Sequence, residues 1–248
     1  MKIVLSRKGF DTGAGGAPSP IIDGKPISLP IPTRHRSETT YADLGLSKIV
    51  ETATKSRISG TSLCHHDPMF DQGRCAFGQT GAAQSHLANN AVGIGDIFLF
   101  FGLFAEPDGS DRHHRFFGFL VVEETVSLGA NPRATDQPSG FAMRHPHTLG
   151  EWNANNTLYL GRGGTANEAR DEQRLSLPGG AVSRWRVPTW LHEVGLTYHA
   201  RADRWEAHDR LNAVARGQEF VADIGQRDDA SRWCEDLTSS LSGLGTDG

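Results

Sequence analysis

Two short segments of this 248-residue chain set side chains able to do chemistry close together. The first, Ser6-Arg7-Lys8-Gly9-Phe10-Asp11, sets two cations and a carboxylate side by side. Guanidinium and ammonium groups bind phosphate, and a nearby carboxylate can move a proton. Arg7 and Lys8 are therefore candidate substrate-binding residues, and Asp11 is a candidate catalytic one. The second segment is Cys64-His65-His66-Asp67-Pro68. His65-x-Asp67 has the spacing of two ligands of a two-histidine, one-carboxylate metal centre. His86, His192 and His208 are candidates for the third ligand. With His192 the set is His65, Asp67 and His192, holding a divalent metal such as Fe or Zn, and Arg201 or Arg204 would then suit a keto-acid cosubstrate. Without a metal, His65, Asp67 and His86 would act as acid–base groups, since imidazole carries protons near neutral pH. A plain turn is the competing reading, because Asp before Pro is a common turn. Cys64 and Cys75 with a histidine make a weaker zinc set, because no Cys-x-x-Cys pair is present.

Other clusters carry less. Gln84, Ser85, His86, Asn89 and Asn90 lie on one predicted helix, where amides could read a base edge. His113-His114 and His145-Pro146-His147 fall in predicted loops or at strand ends and read as surface histidines. Gln218 and Glu219 are outlying candidates for substrate contacts. Several well-marked enzyme classes are excluded by missing motifs. There is no phosphate-binding Gly-rich Lys-Ser/Thr loop, and Gly93-Ile94-Gly95 lacks the third glycine of a dinucleotide fingerprint. His192-Glu193 has no second histidine at zincin spacing, and neither a zinc-deaminase signature nor a Gly-x-Ser-x-Gly elbow occurs.

The elements that must position these groups are legible in part. Residues 2–5 read as a first strand, and 6–36 as a long Gly-, Pro- and Ser-rich loop. Such a loop is unusual in a compact domain unless it has a job. Residues 42–56 and 78–90 read as helices. The strongest signal is Ile97-Phe98-Leu99-Phe100-Phe101-Gly102-Leu103-Phe104, a polar loop, then Arg115-Phe116-Phe117-Gly118-Phe119-Leu120-Val121-Val122. Two aromatic-rich runs joined by a Gly/Asp/Pro loop predict an antiparallel hairpin. Alternation along each strand should bury one face of rings as core. Short strands are expected at 157–160 and 204–208, a further element from 218, and a helix at 230–241. No repeat or domain linker stands out, so 1–248 reads as a single domain.

Composition narrows the field further. The chain is 37% hydrophobic and 22% charged, values of an ordinary globular protein. Its net charge of −4 lacks the basic footprint of a non-specific duplex binder. A small nucleotide, or an extruded or single-stranded base, suits that charge better. Arg34-His35-Arg36 still offers a local basic site. The longest apolar run, residues 97–104, is too short for a membrane-spanning helix, and no leader is recognisable. Three cysteines make no disulfide framework, which points to a reducing cytoplasm.

The chain resembles the nucleotide modification associated domain 3 family. The likeness rests on residues 2–11, on Pro18-Ser19-Pro20-Ile21 and on Ser28-Leu29-Pro30-Ile31-Pro32. It continues through His65-His66-Asp67-Pro68, Gly93 to Gly102, Trp190-Leu191-His192 and Gln218-Glu219-Phe220-Val221. The resemblance implies a substrate class, altered nucleotides or nucleobases in phage and bacterial nucleic acid, more than a mechanism. The hairpin is also similar to the barrel of PUA-like domains, some of which read modified bases. The expectation is thus an α+β domain with a mixed or antiparallel, barrel-like sheet, flanking helices and long loops. Its function would be a nucleotide- or base-modifying enzyme, with a non-catalytic reader of a modified base as the alternative. The reader would have no use for a histidine–carboxylate cluster.

Overall fold

A computed structural model describes residues 1–215, 217 and 219–242. Its strands are β1 (Lys2–Arg7), β2 (Ser19–Ile22), β3 (Lys25–Pro26), β4 (Ile31–Pro32), β5 (Cys64–His65), β6 (Met69–Asp71) and β7 (Arg74–Gln79). They continue as β8 (Ile97–Ala105), β9 (His113–Ser127), β10 (Thr157–Thr165), β11 (Arg184–Arg186), β12 (Trp205–Ala207), β13 (Arg210–Asn212) and β14 (Glu219–Asp223). The helices are α1 (Ser47–Thr54), α2 (Gly81–Asn89), α3 (Trp190–Val194) and α4 (Asp228–Leu241). The protein is α+β with a large mixed sheet, as its sequence pattern predicts.

The main ladder runs β14-β1-β8-β9-β10-β7-β6. β1 lies parallel to β8, and the other neighbours on this path are antiparallel. The expected hairpin is β8–β9, with Phe98 opposite Leu120 and Phe104 opposite His113. Every residue of β8 is buried, so both faces are covered rather than one. Alternation sorts its side chains into two cores. Ile97, Leu99 and Phe101 join an outer cluster with Trp185, Trp190, Leu211, Phe220, Cys234 and Leu237. Phe98, Phe100 and Phe104 face an inner cluster fed by Val4, Phe77, Leu120, Tyr159 and Val221.

That inner cluster draws on β1, β7, β8, β9, β10 and β14, which requires the sheet to curl around it. Leu87 of α2 and Val92 fill it from one end. The curl brings distant strands together. Gln79 ends β7 and Glu219 begins β14, near opposite ends of the ladder, yet Gln79 Nε2 donates to Glu219 Oε1 at 2.8 Å. Among the described residues no ladder joins β14 to β7 or β6, so the barrel-like form is a curled sheet whose seam is bridged by side chains.

Helix α4 follows from its pattern. Ala230, Cys234, Leu237 and Leu241 recur at helical spacing and are buried, and Asp228 and Asp229 sit in the first turn against the helix dipole. The helix expected over 42–56 forms only at Ser47–Thr54. A turn with Gly45 at φ +70° precedes it, and left-handed Lys55 ends it. The hairpin β6–β7 turns on Gln72 and Gly73, both at positive φ, as a two-residue hairpin loop requires. No described helix is long and apolar enough to cross a membrane.

Candidate functional site

The cavity opens where the curled sheet fails to close. Arg7, Lys8, Gly9, Asp11, His65, Asp67, Gly78, Gln79 and His147 are among its walls, and its volume is about 310 Å³. The end of β1, the end of β5 with the segment after it, the end of β7 and the connection between β9 and β10 all meet there.

β5 pairs with β4, Ile31 opposite His65. Past β5 the backbone makes two tight turns, the His66 amide donating to the Cys64 carbonyl at 3.1 Å and the Asp67 amide to the His65 carbonyl at 2.8 Å. His65 and Asp67 both line this cavity, while the intervening His66 faces a neighbouring one of about 250 Å³. The pair thus lies in one cavity. The third group comes from the turn Pro146–Thr148. His65, Asp67 and His147 each offer one ligand-type atom, and these atoms lie within 4.8 Å of one another. His65 Nε2 is 3.6 Å and His147 Nε2 3.7 Å from Asp67 Oδ2. Both separations exceed a hydrogen bond.

The surroundings hold these groups stiffly. Asp67 Oδ1 accepts from the Gly78 amide at 3.0 Å. His145 Nε2 also faces Oδ1, at 3.3 Å but out of good hydrogen-bond alignment. His145 Nδ1 accepts from the His147 amide, which places its proton on Nε2. His147 is bracketed by Asn156, whose Nδ2 donates to the His147 carbonyl at 3.0 Å. That bond orients the amide, so Asn156 Oδ1 must accept from His147 Nδ1, 2.6 Å away. The His147 ring stacks on Trp152 with centroids 4.1 Å apart, and Arg36 lies 4.4 Å over the indole. The other side of the ring rests against Gly78, where any Cβ would collide with it.

Burial sets the charges. It pushes His147 down to about 3, so that ring is neutral at ordinary pH. Burial, helped by the nearby His145, pushes His66 down to about 4. Burial alone would raise Asp67, but contacts from His145 and His65 outweigh it and hold the carboxyl well below the usual carboxylate range. On the opposite wall, Lys8 Nζ pairs with Glu219 Oε1 at 2.9 Å and sits 4.4 Å from the Phe77 ring centre. Glu219 Oε2 is buried without a partner among the described residues. Arg7 donates to the carbonyls of Ala215 and Val214 and leaves its Nε unpartnered. Asp11 Oδ1 accepts from the amides of Gly13 and Ala14, which shapes its loop.

The structure therefore brings together Arg7, Lys8, Asp11, His65 and Asp67, with Glu219 just behind Lys8 and Gln79. His86 is elsewhere: it bonds Thr197 Oγ1 at 3.0 Å, packs on Tyr198, and does not line the cavity. His192 packs on Trp205 and His208 and is no part of the cluster, so the third position beside His65 and Asp67 belongs to His147. Gln218 lies outside the described residues. His145 and His147 were expected at the surface as loop histidines, yet both are buried. Their connection folds back under β7, and only the partners Asn156, Trp152 and Gly78 explain that. No local sequence signal marks it.

Fold and site together define an α+β domain whose curled mixed sheet opens into a small imidazole–carboxylate pocket edged by cations. Residues 2–223 match the family model of nucleotide modification associated domain 3, and the chain belongs to that family, whose name indicates involvement in nucleotide modification. Comparisons with curated proteins and with solved structures found no match.

Proposed function

We propose that the protein is an enzyme that modifies a nucleotide, or a base extruded from or held in single-stranded nucleic acid, inside this cavity. The observation that carries the reading is convergence. Phosphate-binding cations (Arg7 and Lys8), an amide (Gln79) and a rigid His65/Asp67/His147 group line one space of about 310 Å³. That size accommodates a base or a mononucleotide and excludes a duplex. Arg7 takes the phosphate side, because among the described residues each of its two terminal nitrogens makes one carbonyl bond and keeps a second N–H. Gln79 faces a base edge. His65 is the cluster's most accessible imidazole, its side chain 21% exposed, and is the one placed to meet the reacting atoms. Membership of a family named for nucleotide modification supports the substrate class.

The reader alternative has less support. The sheet aromatics Phe77, Phe98 and Phe100 pack on one another in the inner core, and among the described residues the cavity wall has no ring other than imidazoles. A base-reading pocket most often stacks the base on such a ring, which leaves only imidazole and guanidinium planes for that role here.

The test is turnover on free nucleotides and on single-stranded DNA and RNA carrying modified bases. The His65→Ala variant should lose turnover and keep binding, while Arg7→Ala should weaken binding of phosphorylated substrates. Saturable binding of a modified base with no product, unchanged by His65→Ala, would establish the reader instead.

A further inference from the structure

The His65/Asp67/His147 group is built like a chelate rather than an acid–base pair. The Asn156 amide fixes the His147 proton on Nδ1, so Nε2 presents a lone pair toward Asp67 Oδ2 at 3.7 Å. Oδ1 of the same carboxylate is already occupied by the Gly78 amide and faced by His145 Nε2–H, which leaves Oδ2 for the histidines. Electron pairs from a neutral imidazole and a carboxylate thus meet with no proton between them. A cation held between them would make that arrangement favourable. Ligands 2.0–2.2 Å from one ion stand roughly 3.0–3.5 Å apart, so separations of 3.6 and 3.7 Å need little closing. A ligand histidine that gives its other N–H to a side-chain oxygen is the usual support around a metal.

We propose that His65 Nε2, His147 Nε2 and Asp67 Oδ2 chelate one first-row divalent metal ion whose remaining positions open into the cavity. Two imidazoles and one carboxylate suit Fe(II), Zn(II) or Co(II) and not Mg(II) or Ca(II), which take oxygen ligands. A divalent ion would add two positive charges to the edge that Arg7 and Lys8 already form, and so make the cavity more attractive to an anionic substrate.

The test needs no substrate, so it stands apart from the enzyme reading. Chelator-stripped full-length protein is titrated with Co(II) and with Zn(II), followed by visible absorption and calorimetry. One ion per chain is expected, with a rise in Tm. His65→Ala, whose partly exposed side chain makes it the variant least disturbing to folding, should weaken binding at least tenfold and lose the Tm rise. Asp67→Asn should abolish binding. His192→Ala removes half of the separate His192/His208 pair and should bind as wild type. Folded wild-type protein that takes up neither ion at millimolar concentration overturns the proposal. So does binding that survives His65→Ala and disappears with His192→Ala.

Discussion

Gly78→Ala is the sharpest test of how the site is held. The Gly78 backbone is not in the left-handed region, so alanine fits the main chain. The added Cβ, however, would lie 2.8 Å from His147 Nε2 and nearer still to Cγ and Cδ2. Ordinary contact between heavy atoms begins at about 3.5 Å, so the ring must retreat by roughly 1 Å. It has nowhere to go: Trp152 stacks on it at 4.1 Å, and Asn156 holds Nδ1 at 2.6 Å. Overpacking of this kind costs about 1–3 kcal/mol, or roughly 2–12 °C in Tm for a chain of this size. A displacement of about 1 Å at a catalytic group costs about 100-fold in rate, and misplacing a metal ligand costs about 10- to 100-fold in affinity. Thermal unfolding, metal titration and turnover would be read on the same sample. Gly93→Ala, with open space around its added carbon, is the control. Wild-type Tm and wild-type cobalt affinity in Gly78→Ala would refute the packing argument.

Acid should unfold the protein early. Burial takes His114 down to about 3, with His66 and His147 also depressed. A histidine whose folded pKa lies below its unfolded value of about 6.5 binds its proton in the unfolded chain first, so stability is complete above pH 6.5 and lost on falling toward pH 3. His114 alone should cost about 2 kcal/mol at pH 5. Urea unfolding at pH 7.5 and pH 5 measures this, and equal midpoints would contradict it. Glu219→Gln strands the largely buried Lys8 and should cost roughly 3 kcal/mol, with Lys8→Met/Glu219→Leu recovering most of it; a single variant as stable as wild type in urea would show that the pair contributes nothing. Trp152→Ala removes the ring that pins His147 and should weaken metal binding about tenfold by calorimetry, with Asp67 untouched.

The hairpin at Ile97–Ala105 and His113–Ser127 was legible because apolar aromatics in two runs leave few alternatives to paired, buried strands. Helix α4 was legible for the corresponding reason, an apolar stripe at helical period behind an acidic first turn. The hairpin β6–β7 was not. Arg-Cys-Ala-Phe-Gly-Gln has five buried positions in a row and shows no alternation, because β7 is covered on both faces by the curl. Parallel pairing of β1 with β8 also escapes a local reading, since their partnership spans more than ninety residues.

The site divides along the same line. His65 and Asp67 could be paired from sequence, because His-x-Asp is the spacing of two ligands of a two-histidine, one-carboxylate centre. The third ligand-type group could not, because nothing local distinguishes His147 from His192. Both precede or follow small apolar stretches, and both lie near a tryptophan in sequence. What separates them is a set of contacts made after folding. Gly78 leaves a hollow on β7, and the β9–β10 connection drops an imidazole into it. Asn156, at the end of that connection, then locks the tautomer. His192 meets Trp205 and another histidine instead, which offers neither a carboxylate nor a hydrogen-bonded amide to orient it. The chemistry at Asp67 is thus a tertiary property: its neighbours in the chain supply one donor, and a loop eighty residues away supplies the other together with the means of holding it.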